Sequence, residues 1–185
     1  GVTAVLAGIE QALQAGLKVK LNCVLLREYY VQQIKQLMHF AKTYHLAVRF
    51  IELMPIGGGD FQEGIPSDEV AHYLESSYGR NSDSQEVMGK GPSVYHRYGD
   101  VDIGFISSLT HCFCSRCNRL RLTASGILLG CLYQREGLDL YSLVSKGLDD
   151  EEIWERIKLF VHDKPISSSH VLQHNQLCSL AGIGG

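Results

Sequence analysis

Nowhere in these 185 residues is there an uninterrupted apolar run long enough to cross a bilayer. The opening stretch, "GVTAVLAGIEQALQAGL", lacks a positively charged start, a sustained apolar centre and a cleavage site. It therefore does not read as a secretory signal. It begins with Gly rather than Met, which fits a processed chain or a piece of a longer one. Excess positive charge is missing too. A net charge of −3 at pH 7 argues against a general nucleic-acid or membrane-surface binder, while leaving room for a local basic pocket. No internal repeat is visible. What remains, 45% hydrophobic and 20% charged residues, is the make-up of a soluble globular protein with one core and room for a small appendage.

Four of the six cysteines are clustered rather than spread, and they sit in a chain with long helical and strand patterns. Small secreted disulfide scaffolds look different, so the expected compartment is a reducing one: the cytoplasm, or the mitochondrial matrix in a eukaryote.

Residues 3–15 place Val5, Leu6, Ile9, Ala12 and Leu13 on one helical stripe that stops at Gly16. "KVKLNCVLL" (18–26) reads as a strand, "VQQIKQLMHFAKTYH" as a helix with Ile34, Leu37, Met38 and Ala41 inward, and "AVRFIELM" (47–54) as a second strand. This alternation predicts βαβ units and a parallel sheet. "PIGGGDFQEG" (55–64) is a loop directly after a strand, where α/β folds place ligands. Ser67 and the acids behind it suit a helix start, with Val70, Tyr73 and Leu74 following on the helical period, and 79–92 carries no apolar period and reads as loop. Two hairpins follow: "SVYHRY" with "VDIGFIS" across Gly99-Asp100, then "RLRLTA" with "ILLGCL" across Ser125-Gly126. Short helices are expected near 139–146 and 150–162, the second opened by four acids that oppose the positive end of its dipole. The tail after Lys164 is irregular and ends in two glycines.

Chemistry concentrates in "HCFCSRCNRLRLTASGILLGC" (111–131), which holds four of the six cysteines. Cys114 and Cys117 form a C-x2-C knuckle, and Cys131 arrives from the far strand of the hairpin. Soft thiolates in so short a window suit zinc or an iron–sulfur cluster. His111 and Cys112 are candidates for a fourth ligand, although Cys112 stands only two positions before Cys114. A structural zinc site is closed by four protein ligands, whereas a three-cysteine [4Fe–4S] cluster leaves one iron open. Both readings stand at this point. Within the following strand, Arg119 and Arg121 alternate with leucines and so share a face, roughly 6 to 7 Å apart by the strand rise. Two guanidinium forks beside a metal site suit polyphosphate or carboxylate. Lys20, Asn22 and Arg49 are polar intrusions into the first two strands. They point to a cationic barrel interior, or else to strand ends in solvent.

Taken in order, "VKLN", "VRFIELMPIG", "GKGPSVYHRY", "IGFISSLTHCFCSRCNRLRLTASGILLGCL", "KPISSSH" and the terminal "IGG" resemble the molybdenum-cofactor biosynthesis protein A family, the radical S-adenosylmethionine GTP 3',8-cyclases. The resemblance covers nearly all of the chain but only the latter part of the family's usual length. It implies an α/β fold: the latter part of an incomplete (β/α)6 TIM-like barrel over 1–105, then a C-terminal β-hairpin and helical region over 106–185 carrying a [4Fe–4S] cluster. By the family motif, Cys114, Cys117 and Cys131 hold that cluster, and its open iron accepts the guanine base of GTP. Lys20, Arg49, Arg119, Leu120 and Arg121 would contact GTP, Met54 would line the S-adenosylmethionine pocket, and Gly184 and Gly185 would reach into the active site and support catalysis. GTP, S-adenosylmethionine and an electron donor are the implied partners, with a homodimer left open and neither nucleic acid nor membrane expected.

The family's first cluster sits on a C-x3-C-x2-C motif, and none of these 185 residues forms one; Cys23 and Cys178 stand alone. This chain by itself is therefore expected not to cleave S-adenosylmethionine. Two rivals remain. One is another radical enzyme with an auxiliary cluster, although such enzymes carry more cysteines after the barrel. The other is a zinc-stabilised module presenting Arg116, Arg119 and Arg121 to nucleic acid, against which the sparse aromatics near the cysteines and the acidic net charge both count.

Overall fold

The computed structural model describes residues 1–54, 63–83, 91, 93–134 and 136–164. Expectations placed on the loop at 55–62, on 84–90 and on the tail at 165–185, with His170, Cys178, Gly184 and Gly185, fall outside them. The chain divides into two compact units, one drawn from 1–53 and 62–110, the other from 54–61 and 111–185.

In the first unit, helix α1 (Val2–Gln14) leads to strand β1 (Lys20–Val24), helix α2 (Tyr30–Tyr44) and strand β2 (Ala47–Ile51). Helix α3 (Ser67–Tyr78), strand β3 (Arg80–Asp83) and the hairpin of β4 (Val94–Tyr98) with β5 (Val101–Ile106) follow. The sheet runs β1-β2-β5-β4-β3, with β1, β2 and β5 mutually parallel and β4 and β3 antiparallel. The fold is thus mixed α/β: the expected parallel pair is present, and the later hairpin extends it.

Strand alternation sorts the side chains of this sheet cleanly. Val48, Phe50, Ile103, Phe105 and Tyr98 face one way and join Ile34, Met38 and Ala41 of α2 and Val70 and Leu74 of α3 in the hydrophobic core. The opposite face carries two cross-strand rows, Asn22, Arg49, Gly104 and Tyr95, then Val24, Ile51 and Ile106, together with the pairs Lys20–Ala47 and Asp102–Arg97. One face is greasy and covered by helices; the other is polar at its centre.

Three local features differ from expectation. Ser67 does not cap α3; Pro66 holds that position, and the Ser67 amide donates instead to Glu52 Oε1 at 2.9 Å. Residues 80–83 form an edge strand despite lacking an apolar period, because their pairing rests on backbone contacts to β4 and on Asn81 Nδ2 donating to the Gly99 carbonyl at 2.8 Å. In α1, Ile9 and Leu13 pack on the core while Val2, Val5 and Leu6 stay exposed.

The second unit has a three-stranded antiparallel sheet, β6 (Arg121–Leu122), β7 (Ile127–Leu129) and β8 (Leu138–Asp139), followed by helices α4 (Leu140–Ser145) and α5 (Asp150–His162). Gly126 turns the hairpin at φ +84°, and a Cβ there would meet the Tyr141 Cβ at 2.8 Å, so only glycine fits. Asp139 caps α4, its carboxylate accepting from the Ser142 amide at 2.9 Å. At α5 the Asp149 carboxylate accepts from the Glu152 amide at 2.9 Å, and Glu152 accepts from the Asp149 amide at 3.1 Å, a complete capping box.

Candidate functional site

The cysteine segment folds locally for a simple reason. A 3-10 turn at Cys114–Arg116 brings the Cys117 amide onto the Cys114 carbonyl at 3.1 Å, so the two C-x2-C side chains leave the same turn. Both line a cleft of about 400 Å³ together with Asn118, Leu120 and Lys164. Lys164, just past the end of α5, donates through Nζ to the carbonyls of Cys117 at 3.0 Å and Arg119 at 2.7 Å. Its stem also passes the hairpin backbone, with Cγ 3.1 Å from where a Cβ on Gly130 would stand. The lysine therefore ties the cysteine turn to the residue before Cys131.

Cys131 and Met54 both pack against the buried Tyr133. Burial pushes the Cys131 thiol above its ordinary value and the neighbouring Cys117 adds to the rise, while Lys164 and nearby backbone amides oppose it. Cys114, Cys117 and Cys131 are all half-buried, Cys112 is exposed, and no disulfide joins any of the described cysteines. In kind, three soft sulfurs on a turn and an adjoining strand fit a thiolate-ligated centre. In position they are not closed around one: among the described residues no three His, Cys, Asp or Glu side chains gather tightly enough to hold a metal ion.

The predicted arginine strand is shorter than expected. Arg121 begins β6, whereas Arg119 lies before it and is exposed, so the shared strand face holds for only one of the pair.

In the first unit, Lys20 and Arg49 lie on the polar sheet face. Asn22 sits opposite Arg49 and accepts from its Nε at 2.7 Å. Sequence reasoning missed Glu52, which is 4% exposed. Its carboxylate accepts from the amides of Ser67 at 2.9 Å, Leu109 at 2.7 Å and Thr110 at 3.1 Å, and from the Thr110 hydroxyl. Burial works to raise this carboxyl, but the four donors outweigh it and hold it below the usual range. The end of β2, the start of α3 and the segment entering the cysteine region are pinned to one charge. The signal was available: a lone acid inside the apolar run "FIELM".

A mixed α/β unit with a polar sheet face, joined in sequence to a thiol-rich hairpin unit, defines a class of chain rather than a member. Comparison with known proteins narrows it. The family described as Molybdenum Cofactor Synthesis C matches residues 46–170, and the chain belongs to that family. The GTP 3',8-cyclase of Clostridium perfringens (strain SM101 / Type A) is 36% identical over 163 residues, 87% of this chain and 50% of that protein. That of Rhodobacter capsulatus is 37% identical over 184 residues, 96% of this chain and 55% of the relative. That of Staphylococcus aureus (strain JH9) is 32% identical over 161 residues, 84% and 47% respectively. The chain spans about half the length of the curated relatives it matches.

Proposed function

We propose that this chain forms the GTP-side portion of a GTP 3',8-cyclase, which converts GTP to (8S)-3',8-cyclo-7,8-dihydroguanosine 5'-triphosphate in molybdenum cofactor biosynthesis. The first unit is, on this reading, the latter part of an incomplete barrel whose polar sheet face is its interior. Lys20 and Arg49 of that unit and Arg119, Leu120 and Arg121 of the second are the residues assigned to the nucleotide. Met54 is assigned to S-adenosylmethionine, and Gly184 and Gly185 to a supporting catalytic role.

One observation carries the reading: Cys114, Cys117 and Leu120 share a single cleft, and Lys164, which bonds the Cys117 carbonyl, passes Gly130 next to Cys131. Cys114, Cys117 and Cys131 would hold a [4Fe–4S] cluster. When bound, such a centre supplies a coordination position for the purine base. The protein's own part is to bind and orient: cationic side chains offset the phosphate charge, Asn22 fixes the Arg49 guanidinium, and Lys164 holds the cysteine turn. Lysine and arginine play different parts here, since only the guanidinium presents a planar fork.

Anaerobic reconstitution with iron and sulfide, followed by metal and sulfide analysis and GTP titration, tests this. The expected outcome is an iron–sulfur centre and GTP binding; one equivalent of zinc without GTP binding would instead support the zinc-stabilised module. The chain alone is expected not to cleave S-adenosylmethionine, and robust turnover would refute the division of labour proposed here.

A further inference from the structure

Tyr95 is absorbed by none of the assignments above, yet it occupies the centre of the polar sheet face. The pairing register puts it in one row with Asn22, Arg49 and Gly104, across four adjacent strands. Gly104 makes its position possible. A Cβ at Gly104 would stand 2.7 Å from Tyr95 Cε1 and 2.9 Å from Cζ, so the ring lies flat across β5, in space that any other residue would fill. Lys20 Nζ stands over the face of that ring, 5.9 Å from its centroid, having crossed from the far strand of the parallel trio. Asp102, on the same face, lies 3.6 Å from Arg97.

Against this packing, one atom stands out. The Tyr95 hydroxyl is buried and has no hydrogen-bond partner among the described residues, and the same is true of Ser93 Oγ, two residues earlier. A buried phenol without a partner is costly, and native structures normally supply one. The same face carries two cationic side chains: Lys20, with its ammonium over the ring, and Arg49, in the ring's own cross-strand row. A group that suits both a phenolic donor and two cations is an oxyanion, and a hydrogen bond to a charged acceptor is about twice as strong as a neutral one.

We infer that Tyr95 is a binding residue for the phosphate chain of the nucleotide, its hydroxyl donating to a phosphate oxygen on the Lys20–Arg49 face, with Gly104 retained to let the ring lie there. This rests on the nucleotide reading of the previous subsection and adds to it a residue and a subsite. The ring also serves as a platform for the Lys20 ammonium, so Tyr95 acts on the ligand directly and on the lysine's placement.

The test uses the reconstituted 185-residue chain and three probes: GTP, inorganic triphosphate and guanosine. Tyr95→Phe keeps the ring and removes only the hydroxyl. It is expected to weaken GTP and triphosphate by about ten-fold each, with guanosine unchanged and the thermal midpoint held or raised, since an unpartnered buried group is lost. Gly104→Ala, which displaces the ring and leaves the hydroxyl chemically intact, is expected to give a similar loss. Wild-type affinity for triphosphate in Tyr95→Phe, alongside a loss in Lys20→Met, would overturn the inference and leave the nucleotide reading standing. A loss confined to guanosine would also overturn it, by moving the hydroxyl to the nucleoside. Failure of the unmodified chain to bind GTP or triphosphate would sink both together.

Discussion

Ile34, Val48, Leu74 and Ile103 of the first unit have no measurable exposure, whereas among the described residues of the second unit only Leu128, Leu129 and Tyr133 are buried apolar side chains. In the same unit Trp154 is 55% exposed, Leu159 62% and Tyr141 70%. The first unit is thus held by apolar burial between helices and one sheet face. The second is held by directed polar contacts: the Asp139 cap, the Asp149–Glu152 box and the Lys164 bonds to the cysteine turn. A unit with so small a core gains proportionately more from any bound group, because binding energy to a folded site is folding energy. That contrast can be attacked from either side.

The largest effect belongs to the first unit. Leu74→Ala empties a fully buried position between α3 and the sheet and should cost about 3 kcal/mol in urea unfolding followed by circular dichroism. Trp154→Ala, at a side chain mostly in solvent, should stay within about 0.5 kcal/mol. Equal losses at both positions would erase the distinction between the units.

Next comes Glu52→Gln. Exchanging one carboxylate oxygen for an NH2 removes the charge and leaves two of the four donors facing another donor, at a cost of about 2 kcal/mol. The sign with pH follows from the lowered carboxyl. Glu52 contributes stability fully above the ordinary glutamate range, about 4.3, and loses it as pH falls through its depressed folded value. The difference in unfolding free energy between wild type and Glu52→Gln should therefore be constant near neutrality and shrink below about pH 4. A difference that widened on acidification would contradict the direction of the shift.

These two residues also mark what could be read in advance. Leu74 lay on a helical period, Ile34, Met38 and Ala41 on another, and the hairpin at Gly99-Asp100 was announced by its turn, because local periodicity and turn chemistry are properties of neighbouring residues. Glu52 looked like a strand residue because its four donors come from 15 to 58 positions away. The edge strand at 80–83 was invisible for a related reason: a polar strand is made by its partner's backbone, not by its own pattern. At the candidate site, the shared turn of Cys114 and Cys117 was legible from their C-x2-C spacing, whereas Lys164 was not, since nothing in sequence brings a residue 47 positions later onto the Cys117 carbonyl. Tyr95 needed the register to reveal Gly104 beside it.

Lys164→Met asks whether the second unit is polar-built at its cysteine turn. It deletes two charge-assisted bonds, one of them at the solvent edge, so the loss should be about 1 kcal/mol. Loosening should appear as faster alkylation of Cys114 and Cys117, several-fold in peptide mass mapping, measured against the already exposed Cys112. Unchanged rates would mean that the turn is held by its own 3-10 geometry.

The smallest effect is the most discriminating. Asp149→Ala removes one half of the capping box: the Glu152 amide loses its acceptor, while the residue 149 amide still donates to the Glu152 carboxylate. Such a cap is worth about 1 kcal/mol. In a unit with a large core that would be a minor fraction of the total, but α5 has no buried residue of its own, and its apolar side chains Trp154, Leu159 and Val161 are exposed to differing extents. The cap is then a large share of what keeps the helix ordered. Trp154 is the only tryptophan and lies in α5, so its fluorescence reports this helix directly. Asp149→Ala should lower the urea midpoint seen by fluorescence, while an equivalent loss from α3 would be absorbed by the Val70 and Leu74 contacts. An unmoved fluorescence midpoint would show that α5 is held by packing after all, and the contrast between the two units would then lie in composition rather than in what stabilises them.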